Sequence, residues 1–101
     1  MLEIILREII AGSRPTPHHL EHGARLDYDA QSQQLTITRL NRAPDDREMG
    51  IFRAWIKRVG YRVSSSSPAE IEPGINSWVG HRLQLVKLEP EKPAAKQESL
   101  F

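Results

Sequence analysis

The chain has 101 residues, 14 Lys/Arg against 13 Asp/Glu, a net charge of +1 and no cysteine. A chain of this length holds one domain with a modest core, which excludes a two-lobed enzyme. The absence of cysteine excludes disulfide staples and thiolate-held zinc and suits a reducing cytoplasm, while the near-zero charge argues neither for nor against nucleic acid.

Leu2, Ile5, Leu6 and Ile9 recur at helical spacing before Gly12 and Pro15. They predict an amphipathic helix over 2–11, with the β-branched content keeping a strand open as the alternative. Glu3, Arg7 and Glu8 interrupt this apolar run, so it lacks the core of a signal peptide. No later stretch approaches the roughly 20 apolar residues needed to cross a bilayer, and no membrane partner is expected. Pro15, Pro17 and Gly23 make 13–23 a loop. A hairpin follows, with Asp29 to Gln33 as its turn and 35–40 as its second strand. Alternation puts Leu26, Tyr28, Leu35 and Ile37 on one buried side.

The clearest helix is predicted over 45–59. Pro44 and Asp45 open it, Glu48 lies three residues after Asp45 as in a capping box, and Gly60 closes it. A short strand over 61–64 is then ended by the serine run 64–67 and Pro68, which reads as a turn. An irregular connection carrying Pro73, Gly74, Asn76 and Trp78 leads to a last strand over 81–88, where Leu83 and Leu85 alternate with polar residues. Residues 89–99 are charged and proline-containing, the composition of a disordered, solvated linker, and they lead into Leu100-Phe101. The expectation is an α+β domain at 1–88 and a flexible tail at 89–101. Its element order is α-β-β-α-β-β, with a four-stranded, largely antiparallel sheet packed against helices.

Three features carry functional chemistry. On the 45–59 helix, Met49, Phe52, Ile56 and Val59 form the core-facing stripe, and Arg47, Arg53, Lys57 and Arg58 occupy the opposite arc. From Arg39 to Arg62 seven basic residues face three acidic ones, and those three sit at the helix start, where they suit its dipole. Charge runs are usually solvated faces; the functional alternative is a phosphate-contacting surface made by Arg47, Arg53, Lys57, Arg58 and Arg62. Trp55 borders it and Trp78 lies in the following loop, each suited to packing or to stacking on a base.

The second feature is His18-x-x-Glu21-His22, which has the H-x-x-E-H order of one zinc-protease class. That chemistry needs the residues on one helix, and a seven-residue run between Pro17 and Gly23 leaves little room for one. With no Gly-rich phosphate loop, nucleophile elbow or cysteine nucleophile, no catalytic residue, metal or cofactor is assigned, and the chain is expected not to be an enzyme.

The third is the tail. Exposed Leu and Phe side chains each gain about 1.5–3 kcal/mol on burial, so Leu100 and Phe101 call for a pocket on a partner or on their own domain. Gln97-Glu98-Ser99-Leu100-Phe101 resembles the short peptide by which bacterial DNA polymerases and mismatch-repair proteins bind the β sliding clamp: Gln, any residue, Ser or Asp, Leu, Phe. The resemblance implies that Leu100 and Phe101 enter the clamp's hydrophobic pocket, that Gln97 makes polar contacts beside it, and that Ser99 fixes the bend. It covers five residues and no part of the globular domain. The sequence thus points to a cytoplasmic accessory protein of bacterial or phage DNA replication or repair. It would dock on the clamp through Gln97, Ser99, Leu100 and Phe101 and touch DNA with the basic helix. The alternative is a nucleic-acid-binding or regulatory domain whose tail packs on itself or on another partner.

Overall fold

The computed structural model describes residues 2–72, 74 and 76–88. Helix α1 spans Leu2–Ala11. Its end is set by Gly12 at φ 84°, a conformation that costs glycine little, and by the Ser13 amide donating to Glu8 O at 2.9 Å. Leu6 and Ile9 are its buried residues.

The loop predicted over 13–23 contains a short strand, β1 (His18–His19), which makes five strands rather than four. His18 pairs with Leu26 and His19 with Arg25, so β1 forms the outer rung beside β2 (Arg25–Asp29). A two-residue strand shows no periodicity, and its prolines suggest only a loop.

The hairpin of β2 with β3 (Gln34–Leu40) has the anticipated register, with Tyr28 opposite Leu35 and Leu26 opposite Ile37. Its turn is fixed by the Gln31 amide donating to Asp29 Oδ1 at 3.0 Å. Gln84 Nε2 also donates to Ser32 O at 2.8 Å and binds the turn to the sheet.

Helix α2 spans Asp46–Arg58 between Asp45 as N-cap and Val59 as C-cap. Half of the expected capping box forms, the Glu48 amide donating to Asp45 Oδ1 at 2.8 Å. The Glu48 carboxylate does not return to the cap; it accepts from Arg39 Nε at 2.9 Å and ties the helix start to β3.

Two boundaries depart from expectation. Strand β4 runs Tyr61–Ile71, so the serine run and Pro68 lie inside a strand and form no turn. Strand β5 starts at Trp78 and runs to Lys87, so Trp78 is a strand residue and Gly80 is interior. The sheet order is β1-β2-β3-β5-β4, all antiparallel, which places β4 at an edge. An edge strand needs partners on one side only. Solvated serines, a bulge between Val63 and Ser65, and a proline are the residues such an edge tolerates.

Leu26, Leu35, Ile37, Leu83 and Leu85 form one sheet face and pack with Leu6 and Ile9 of α1 and with Met49, Phe52, Ile56 and Val59 in and just after α2. At about 1.5–3 kcal/mol per fully buried side chain, this layer is the main favourable contribution to folding. On the opposite face Thr38 is fully buried between Arg25 and Gly80, its neighbours across the two ladders. Trp78 is held there between the His19 ring at 5.4 Å and the Arg25 guanidinium at 5.4 Å, a packing role.

Candidate nucleic-acid interface

The apolar stripe of α2 fixes which side chains turn outward. With Phe52 and Ile56 in the core, Arg53 and Lys57 stand one turn apart on the solvent side. After Val59, Gly60 takes φ 97° and reverses the chain, so that β4 returns alongside α2 and Arg62 borders the same groove as Lys57. The strand then bulges between Val63 and Ser65.

These elements enclose a groove of about 380 Å³, lined by Arg53 and Lys57 from α2 and by Arg62, Val63, Ser64, Ser65 and Ser66 from β4. The three cations and three serines are all exposed. Ser64 leans towards the sheet, its hydroxyl donating to Gln84 O at 3.5 Å. The backbone groups of β4 that face away from β5 run along the same edge as further donors and acceptors.

Of the five basic residues predicted to contact nucleic acid, the structure brings Arg53, Lys57 and Arg62 together on this groove. Arg58 is turned elsewhere, its guanidinium 4.8 Å from the centre of the Trp55 ring. Its charge reaches Glu3 of α1, whose carboxyl is held below the usual range chiefly by a hydrogen bond from Arg7. Arg47 sits exposed in the first turn of α2 and does not line the groove.

Val63 and Ser64 to Ser66 are the lining residues that sequence reasoning missed. The available signal was a run polar at every position after Tyr61 and Val63, because only an edge strand can be polar on both faces.

Carboxylates neutralise only part of the basic surface: four arginines are paired, whereas among the described residues Arg42, Arg47, Arg58, Arg82 and Lys87 have, like the groove cations, no carboxylate within ion-pair distance. Arg7 pairs with Glu3 at 2.8 Å, Arg14 with Glu8 at 2.6 Å, Arg25 with Asp27 at 3.0 Å and Arg39 with Glu48 at 2.9 Å. Among the described residues, Arg53, Lys57 and Arg62 have no carboxylate within ion-pair distance. Three uncompensated cations bordering one groove, two from α2 and one from β4, attract anions at a range set by a screening length of about 8 Å at physiological salt. The lining offers donors and positive charge, with no imidazole or carboxylate to take a proton. Its chemistry is that of anion binding.

The His18, Glu21 and His22 run folds as strand β1 followed by a turn, so its side chains do not share the single helix face that H-x-x-E-H chemistry requires. Among the described residues no cluster of three His, Asp or Glu side chains is arranged to hold a metal ion. His18 and His19 instead line a separate cavity of about 590 Å³ with Leu2, Ile5, Arg14, Leu20, Glu21 and His22. There burial, then the Arg14 and His19 charges, lower the His18 pKa. A third cavity, about 340 Å³, is lined by mixed charges including Asp27, Asp29 and Arg82.

Gln97, Ser99, Leu100 and Phe101 lie outside the described residues. The Leu88 amide donates to Gly60 O at 2.8 Å, so the described chain ends beside the turn that joins α2 to β4. No described helix is long and apolar enough to cross a membrane. Comparison with protein-family models, with curated proteins and with solved structures gives no significant match, so the functional reading rests on the groove and the terminal motif.

Proposed function

We propose that this chain is a non-enzymatic accessory protein of bacterial or phage DNA replication or repair, held on the β sliding clamp by Gln97 to Phe101 and contacting DNA phosphates through the α2–β4 groove. The observation that carries the DNA contact is the convergence of Arg53, Lys57 and Arg62 on one groove without carboxylate partners among the described residues. Phosphate contacts of this kind position a protein on nucleic acid without reading its sequence. The clamp contact is supported by the match of Gln97, Ser99, Leu100 and Phe101 to the clamp-binding pattern.

Two apolar anchors, less the cost of ordering a short peptide on its partner, give an affinity of about 1–10 μM, weak enough for partners to exchange on a shared ring. The test is a titration of purified clamp with a peptide of residues 90–101 and with the full chain. Saturation at tens of micromolar or below, abolished by Leu100→Ala with Phe101→Ala, is expected; absence of binding, or binding indifferent to those substitutions, refutes the clamp assignment.

One observation favours a second reading. The cavity beside α1 presents Leu2, Ile5 and Leu20, an apolar wall on which the tail of the same molecule could pack. In that case the full chain would bind clamp more weakly than the free peptide.

A further inference from the structure

We infer that the α2–β4 groove is a site for a terminal phosphate monoester, the end of a nucleic-acid strand rather than its continuous backbone. This deepens the reading above and rests on it. A backbone presents charge in series, one negative charge per 3.4 Å of axis on each strand, and a surface built to follow it distributes its cations along a ridge or channel. Here the arrangement is convergent: Arg53, Lys57 and Arg62 border the same cavity of about 380 Å³. The two basic residues of α2 that could have extended a ridge do not join them. Arg58 is stacked on Trp55, and Arg47 lies in the first turn of the helix, off the groove.

The charge balance favours the same ligand. A diester carries a single negative charge, whereas a monoester carries about −1.5 to −2 near neutral pH on three acceptor oxygens. Three cations gathered on one anion match the second better than the first. Guanidinium groups meet phosphate oxygens with paired donors, and the Lys57 ammonium acts as a point charge.

The β4 wall adds neutral donors. Ser65 and Ser66 present exposed hydroxyls, and the bulge takes Ser64 out of register with β5, so its backbone groups are not committed to the ladder. Cations from both walls, with hydroxyl and edge backbone donors from β4, can surround a tetrahedral group that has three free oxygens. A mid-strand phosphate offers only two, because its ester bonds leave on both sides.

The experiment compares fluorescently labelled single strands of one sequence bearing a 5′-phosphate, a 3′-phosphate or no terminal phosphate, with a phosphoserine peptide as the competing source of a monoester. The full chain is titrated at fixed salt. At least one phosphorylated end should bind about tenfold more tightly than the unphosphorylated strand, the gain of a charge-assisted contact. Arg53→Gln, Lys57→Gln or Arg62→Gln should each erase most of that difference, while Arg42→Gln, which removes an exposed charge outside the groove, should preserve it. All four positions are exposed, and circular dichroism verifies that the variants fold.

Equal binding of all three strands, still sensitive to the groove substitutions, overturns the end-specific site and leaves the DNA-contact reading intact. Failure of every strand to bind overturns both. A phosphoserine peptide binding as tightly as the phosphorylated strand overturns the assignment to nucleic acid.

Discussion

Replacing Gly80 with alanine tests the register of the sheet. Gly80 lies between Thr38 of β3 and Ala69 of β4 in the central strand β5. A Cβ built there collides with the Ile37 carbonyl oxygen and lies 2.8 Å from both Ile37 C and Thr38 Cα. Carbon atoms in contact normally sit about 3.5–4.0 Å apart, so β3 and β5 would have to separate by about 1 Å. The obstacle is backbone, which has no rotamer to escape into, so the cost belongs at or above the top of the usual overpacking range of about 1–3 kcal/mol. The alanine restricts the unfolded chain and returns about 0.4–1 kcal/mol, leaving a net loss of about 2–3 kcal/mol. Against a typical stability of about 5–15 kcal/mol this is substantial, and at about 4–8 °C per kcal/mol for a domain this size it lowers Tm by about 10–20 °C. Urea and thermal unfolding followed by circular dichroism and tryptophan fluorescence measure it. A Gly80→Ala midpoint within about 0.5 kcal/mol of the parent, the usual range for a neutral surface change, would refute the close approach of β3 and β5.

Two smaller perturbations follow from the same packing. Asp45→Ala removes the carboxylate that accepts from the Glu48 amide at 2.8 Å and should cost about 1 kcal/mol in urea unfolding, whereas Asp45→Asn, an equally good cap, should stay within a few tenths. The pKa of His18 is lowered in the folded state from its ordinary 6.5, by burial first and then by Arg14 and His19, so the unfolded chain binds the proton more readily. Its contribution to stability is therefore full above about pH 6.5 and is lost as pH falls through the depressed folded value. Between pH 7.5 and 5.5 the parent should lose more stability than His18→Gln; an identical loss in both would contradict this placement of His18.

In α2 and in the β2–β3 hairpin the local signals are faithful. The α2 stripe, its Asp45 cap and its Gly60 stop place that helix to within one residue at each end, and the alternation of Leu26, Tyr28, Leu35 and Ile37 gives the hairpin its register and its buried face. What stayed hidden depends on position within the sheet. Four serines and a proline favour a turn by propensity, yet they form a strand because β5 supplies ladder partners on one side and water solvates the other. Gly80 and Trp78 looked like loop residues because neither their backbone crowding nor their stacking partners are close in sequence. The candidate site divided in the same way. Arg53 and Lys57 could be assigned to one face from helical spacing, whereas the approach of Arg62 and the serines required knowing that β4 folds back along α2.

The most direct test of a phosphate-contacting groove is the affinity of the chain for a short labelled duplex measured across a salt series, for the parent and for Arg53→Glu with Lys57→Glu. Each phosphate neutralised contributes about −0.9 to the slope of log K against log salt, so the slope should be clearly negative, and reversing two of the three groove cations should collapse both affinity and slope. A duplex affinity that is independent of salt, or that the double substitution leaves unchanged, would contradict the account.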